Sequence, residues 1–167
     1  MTPATYDPMP GSKTGHRSPW SRLWLWAAAL GSTGGALLHF VVALSGRADW
    51  VAYFRAPAVV VQSVRDGGWL GAMAGVVIGI LMQIARLYAF SADGIIPRLP
   101  LTRTALIVLA VIGLLRGALV PASLLVQPTL IDRYVTFDWV AAAIWGSIGL
   151  CFAMGAALTA AAATRVM

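Results

Sequence analysis

The sequence predicts an all-α fold: a polytopic membrane protein whose four transmembrane helices form a compact bundle with a short amphipathic segment at the outer face. Three observations carry this expectation. Four apolar runs, at about 23–44, 69–90, 104–126 and 139–162, each reach the roughly 20 residues a helix needs to cross a bilayer. Small residues recur at four-residue spacing in every run, as Gly31/Gly35, Gly71/Gly75/Gly79, Gly113/Gly117 and Ala142/Gly146. Lipid supplies no hydrophobic drive between helices, so close packing falls to such ridges. Aromatic residues gather at the run ends, Trp20, Trp24, Trp26 and Tyr88 at one boundary and Trp69, Tyr134 and Trp139 at the other, as amphipathic rings do at headgroup level.

The chain divides into two parts. Residues 1–21 are rich in Pro, Gly, Ser and Thr and read as a disordered cytoplasmic tail. Residues 22–167 read as the four-helix transmembrane domain. The first apolar run is too long for the core of a signal peptide. After it, residues 45–68 form a long outer connection. Behind Pro57, Val60, Val61 and Val64 alternate with Gln62, Arg65 and Asp66 at helical spacing, and Trp50, Tyr53 and Phe54 precede them. This predicts a short amphipathic helix at the outer interface, placed to cap the mouth of the bundle. Residues 91–103 form a basic connection in which Asp93-Gly94 marks a turn and Pro97 and Pro100 oppose helix. Pro121-Ala122 with Gln127 echoes Pro57-Ala58 with Gln62, but the spacing differs by one and the surrounding sequence does not align.

Charge sets the expected orientation. Lys13, Arg17, Arg22, Arg86, Arg98, Arg103 and Arg165 fall on the side of the termini and the second connection. Arg47, Arg55, Arg65 and Arg133 fall on the other, offset by Asp49, Asp66, Asp132 and Asp138. Seven basic residues against four place both termini in the cytoplasm under the positive-inside rule. Topology thus accounts for the net charge of +6, and nucleic acid is not an expected partner.

Within the runs the informative residues are polar. Arg116 lies in the third run, whereas the chain has no Glu and every Asp lies outside the runs. A charge at that depth costs roughly 2.5–3.5 kcal/mol on insertion scales, so intramembrane arginines face a bundle interior or a polar cavity. His39 continues the Gly31/Gly35 series, Gln83 continues Gly71/Gly75/Gly79, and Arg116 lies between Gly113 and Gly117. All three are expected to tend toward the packed side, which makes Arg116, His39 and Gln83 the candidate ligand-binding residues. At about 1.5 Å per residue, His39 lies about 7 Å and Gln83 about 21 Å below the outer ends of their spans. Arg116 lies about 15 Å deep if the third helix runs to Val126, and about 7–8 Å, level with His39, if it breaks at Pro121. The ligand would be a lipid phosphate, a quinone oxygen or a carboxylate. The structural alternatives are backbone carbonyls at a proline break, snorkelling to the headgroups, or Asp132 or Asp138 folding in as counter-ion.

Other chemistry finds no support. Cys151 is the only cysteine, so no intramolecular disulfide and no redox pair is expected. No second intramembrane His stands beside His39 for haem, and no carboxylate or His stands at ligand spacing for a metal. Neither cofactor nor metal nor catalytic residue is expected, and an enzyme using His39 as acid or base is the third choice.

The stretch Leu87-Tyr88-Ala89-Phe90-Ser91-Ala92-Asp93-Gly94, with Arg98-Leu99-Pro100-Leu101 and Leu114-Leu115-Arg116-Gly117, resembles a pattern of uncharacterised small four-helix bacterial integral membrane proteins. In layout alone, the long outer loop and compact second half are similar to DoxX-like proteins. The resemblance implies a bacterial cytoplasmic (inner) membrane and transfers no catalytic residue. The expected function is therefore that of an integral inner-membrane protein that binds a lipid-like or small anionic molecule or serves as an accessory subunit. A small oligomeric transporter is the alternative. Expected partners are the lipid bilayer, such a ligand, and a second copy or a partner membrane subunit.

Overall fold

The structure, a computed structural model, describes residues 19–164. Six α-helices and one 3-10 turn follow in order: α1 (Pro19–Ser45), α2 (Ala48–Tyr53), α3 (Ala58–Arg65), α4 (Leu70–Asp93), α5 (Thr102–Val126), the 3-10 turn Pro128–Arg133, and α6 (Thr136–Thr164). The described residues contain no strand. Helices α1, α4, α5 and α6 are long and apolar enough to cross a membrane. Residues 1–18 of the expected tail, with Lys13 and Arg17, lie outside the described residues, as does Arg165. Residues 19–21 already belong to α1, which starts one turn before the expected span.

Local chemistry explains the boundaries. Helix α4 ends at Gly94, whose φ of 80° is the left-handed conformation glycine adopts freely. The Gly94 N–H donates to the Ser91 carbonyl at 3.2 Å and the Ile95 N–H to the Phe90 carbonyl at 3.0 Å. The expected Asp-Gly turn is thus a helix cap, and Asp93 is the last helical residue. Buried Ser91 then pins the connection, its hydroxyl accepting from the Leu99 N–H at 2.8 Å. Pro57 initiates α3 as expected, but the aromatic segment before it is also helical, as α2.

Pro121 does not end α5, which continues to Val126. Proline removes one backbone bond, the one to the Gly117 carbonyl. Unwinding the last turn in lipid would leave several groups without partners, which is worse. Pro57 starts a helix and Pro121 sits inside one, so the sequence echo between them has no structural counterpart.

Antiparallel α1 and α4 form one hairpin and antiparallel α5 and α6 the other; α1 also packs along α6, so the order is α4, α1, α6, α5. Glycines set the spacing. A Cβ on Gly113 would lie 2.7 Å from Gly149 Cα, and one on Gly117 would lie 2.6 Å from Gly146 Cα, so the α5 and α6 backbones touch where only glycine fits. In the other hairpin, Gly75 packs on Ala43, Gly79 on Phe40, and Gly35 on Met82.

The core is built of small residues around a few large ones. Ala28, Ala29, Ala85, Ala89, Ala110 and Ala156 surround Leu25, Leu106, Ile148 and Phe152. These residues lie in the half of the bundle nearer Asp93. Large apolar side chains such as Leu30, Leu37, Ile80, Leu115 and Leu119 point outward along the whole length of the bundle, the arrangement a bilayer solvates. At the opposite end the two hairpins are joined by Arg55 and Phe54, which reach from the α2–α3 segment to the start of α6.

Candidate functional site

The three residues singled out from the sequence occupy different environments. His39, half-buried on α1, is held by its own helix, its Nδ1 lying 2.8 Å from the Gly35 carbonyl oxygen. That oxygen can only accept, so Nδ1 is the donor. Gln83, half-buried on α4, accepts a hydrogen bond through Oε1 from Arg86 Nη1 at 3.2 Å. Arg116 is exposed. No hydrogen bond or ion pair joins the three among the described residues.

Helical phase explains the orientation of Arg116. The glycines at 113 and 117 face α6, and residue 116 is turned about 100° from residue 117. Arg116 therefore rises on the flank of the α5–α6 contact, where its guanidinium carbon lies 5.2 Å from the centroid of the Trp145 ring. It makes no hydrogen bond or ion pair with a described residue.

Contacts across the bundle fix the levels. Gly75 abuts the His39 carbonyl, so His39 and Gln83 are separated by about 12 Å along α4. Gly31 packs on Ile148 and Gly117 on Gly146, which sets Arg116 about 10 Å from the level of His39. Because α5 runs unbroken, Arg116 stands about 15 Å from its Val126 end and about 21 Å from its Thr102 end. The arrangement in which a break at Pro121 brings Arg116 level with His39 does not occur.

Asp138, considered as a counter-ion for Arg116, is engaged elsewhere. Arg55 binds it bidentately, Nε to Oδ1 at 3.0 Å and Nη2 to Oδ2 at 2.7 Å. Arg55 Nη2 also donates to the Arg133 carbonyl at 3.2 Å. Asp138 Oδ2 accepts from the Val135 N–H at 2.9 Å, capping α6. The hydrogen bonds and charge of Asp138 hold the Arg55 guanidinium pKa above its ordinary value. Arg55 occupies this position at a φ of 57°, a conformation a non-glycine residue adopts only when its surroundings enforce it. Phe137 packs on Tyr53 and Phe54, with ring centroids 4.8 and 5.0 Å apart. Beside them is an open groove of about 400 Å³, lined by Ala52, Tyr53, Arg55, Val135, Thr136 and Phe137.

A second polar group lies at the other end of the bundle. Asp93, with its side chain 1% exposed, receives a hydrogen bond from Trp26 Nε1 at 3.2 Å and faces Arg22 Nε at 3.5 Å. Trp26 packs on Phe90, whose ring lies under the Arg86 guanidinium. Arg86 Nε is buried without a hydrogen-bond partner among the described residues. Sequence spacing held a signal for this group: Arg86 and Asp93 stand two turns apart on α4, and Arg22 and Trp26 one turn apart on α1. Nothing comparable pointed to the Arg55–Asp138 pair.

Among the described residues no three His, Cys, Asp or Glu side chains cluster to hold a metal ion. Compared with protein-family models, curated proteins and solved structures, the chain finds no match. The four long apolar helices are compatible with an integral membrane protein, and among the described residues Arg116 is an exposed cation in the middle of one of them.

Proposed function

We propose that the chain is a non-catalytic, multi-pass protein of a bacterial cytoplasmic membrane, with both termini cytoplasmic, that works as an accessory subunit of a larger membrane assembly. The observation that carries this reading is the exposure of Arg116 near the middle of α5. A cation on that surface would face the hydrocarbon region, where an ionised side chain is expensive unless another group partners it. The Trp145 ring offers attraction of about 0.5–2 kcal/mol and no hydrogen-bond acceptor. Neither His39 nor Gln83 reaches it, and Asp138 is held by Arg55. The missing partner must come from outside the described chain.

Depth favours a subunit over a lipid headgroup. A hydrocarbon core is about 30 Å thick, so a midplane cation is separated from either phosphate layer by about 15 Å, farther than one arginine side chain extends. An enzyme using His39 gains no support, since no carboxylate among the described residues hydrogen-bonds the ring. The test compares wild type with Arg116→Leu, extracted from native membranes in mild detergent and sized by native electrophoresis. Wild type should migrate in a discrete assembly larger than the chain, and the variant should migrate alone with unchanged helicity. Identical migration of the two proteins would refute the reading.

A further inference from the structure

We infer that the partner covering the α5–α6 face is a transmembrane helix carrying an Asp or Glu near the bilayer midplane, whose carboxylate is the counter-ion of Arg116. This inference rests on the accessory-subunit reading and names the chemistry of the partner.

The guanidinium presents five N–H donors in a rigid fork that matches a carboxylate bidentately. None of these donors is used within the described residues. Beside it on α5, Ile112 and Leu119 are exposed, giving an apolar surface on which a helix can lie with one polar contact at its centre. The pairing also suits the carboxyl group. Alone in hydrocarbon an acid is held neutral by desolvation, whereas a fixed cation within about 4–6 Å restores its charge.

Other occupants fail on position or sign. Among its described residues a second copy brings no mid-span carboxylate: Asp49, Asp66 and Asp132 lie near the ends of short elements or in connections, Asp93 ends α4, and Asp138 stands in the first turn of α6. Of these, Asp93 is already paired with Arg22 and Asp138 with Arg55. A symmetric contact through this face would set one Arg116 against the other. A lipid phosphate is held about half a bilayer core away. A carboxylate on another protein's helix satisfies both depth and charge.

The test uses the full chain in nanodiscs of neutral lipid and two synthetic transmembrane peptides. Each peptide is a 23-residue leucine–alanine helix with flanking lysines, one bearing a central Glu and the other a central Gln. Association is read by fluorescence energy transfer. Wild type should bind the Glu peptide about tenfold more tightly than the Gln peptide, a difference within the range measured for interhelical polar contacts. Arg116→Lys should keep the preference, and Arg116→Leu should abolish it while remaining folded. Equal binding of the two peptides by wild type, or a Glu preference that survives in Arg116→Leu, overturns the inference. The accessory-subunit reading stands or falls separately, on the migration of the native assembly.

Discussion

Arg55 and Asp138 stand 83 residues apart, and their contact fixes the α2–α3 segment to the start of α6. Asp138 does two jobs at once, accepting both Arg55 nitrogens and the Val135 N–H. Because the Arg55 side chain is about half exposed, water screens the ion pair, and much of the effect of losing Asp138 should come from the cap. Asp138→Ala should lower stability by about 1–2 kcal/mol, and Asp138→Asn, which can still accept the Val135 N–H, by less. Thermal unfolding in detergent checks this; equal losses in the two variants would mean that the cap contributes nothing. At this scale the sequence marked the anomaly of Arg116, an arginine in a run without carboxylates, but not its direction. Lying between two ridge glycines puts a residue on the flank of the ridge, and the intervening angle decides what it meets. The partner of Asp138 was not legible, because nothing local to either residue links them.

Helices α5 and α6 approach at backbone distance through Gly113, Gly117, Gly146 and Gly149. A Cβ on Gly149 would lie 2.5 Å from the Leu114 nitrogen and 3.0 Å from the Ala110 carbonyl oxygen. Backbone cannot yield as a side-chain tip can, so Gly149→Val should push the helices apart and lower stability by about 1–3 kcal/mol. Gly34 has nothing within 4 Å of the position its Cβ would take. Gly34→Ala should therefore be neutral or stabilise by up to about 1 kcal/mol. Melting temperatures of the two variants settle the comparison, and a harmless Gly149→Val would show that the contact carries no packing energy. The small-residue spacing made this ridge readable, as run length did for the four long helices. Helix α2 was less readable because six residues are too few to show a period. The continuity of α5 through Pro121 depends on what solvent surrounds the helix, which the proline itself does not encode.

The described molecule carries its large apolar side chains outward and its small ones inward, the pattern expected where lipid rather than water covers the surface. Orientation across that membrane follows in our proposal from the basic residues. It predicts that, in a Cys151→Ala background, Asp66→Cys is labelled from outside intact cells by an impermeant thiol reagent, while Arg98→Cys is labelled only after permeabilisation. The reverse pattern would invert the topology. Four-helix architecture was legible in the sequence because the hydrophobic pattern of membrane helices is a direct demand of the bilayer. That His39, Gln83 and Arg116 stay apart was not, since ridge spacing fixes neither the order of helices around the bundle nor their relative levels. The core instead gathers at the Asp93 end, around Leu25, Leu106 and Phe152, and leaves Arg116 exposed.

The most direct measurement is site-specific photocrosslinking in native membranes, with the photoreactive residue placed at Leu119, one turn from Arg116, or at Leu38 on α1 as a control. An Arg116 anchored to another membrane protein predicts a discrete protein adduct from position 119, absent from position 38 and lost when Arg116→Leu is introduced. Adducts of lipid alone from position 119, or a protein adduct indifferent to Arg116→Leu, would contradict the account and leave Arg116 as a side chain that the bilayer itself accommodates.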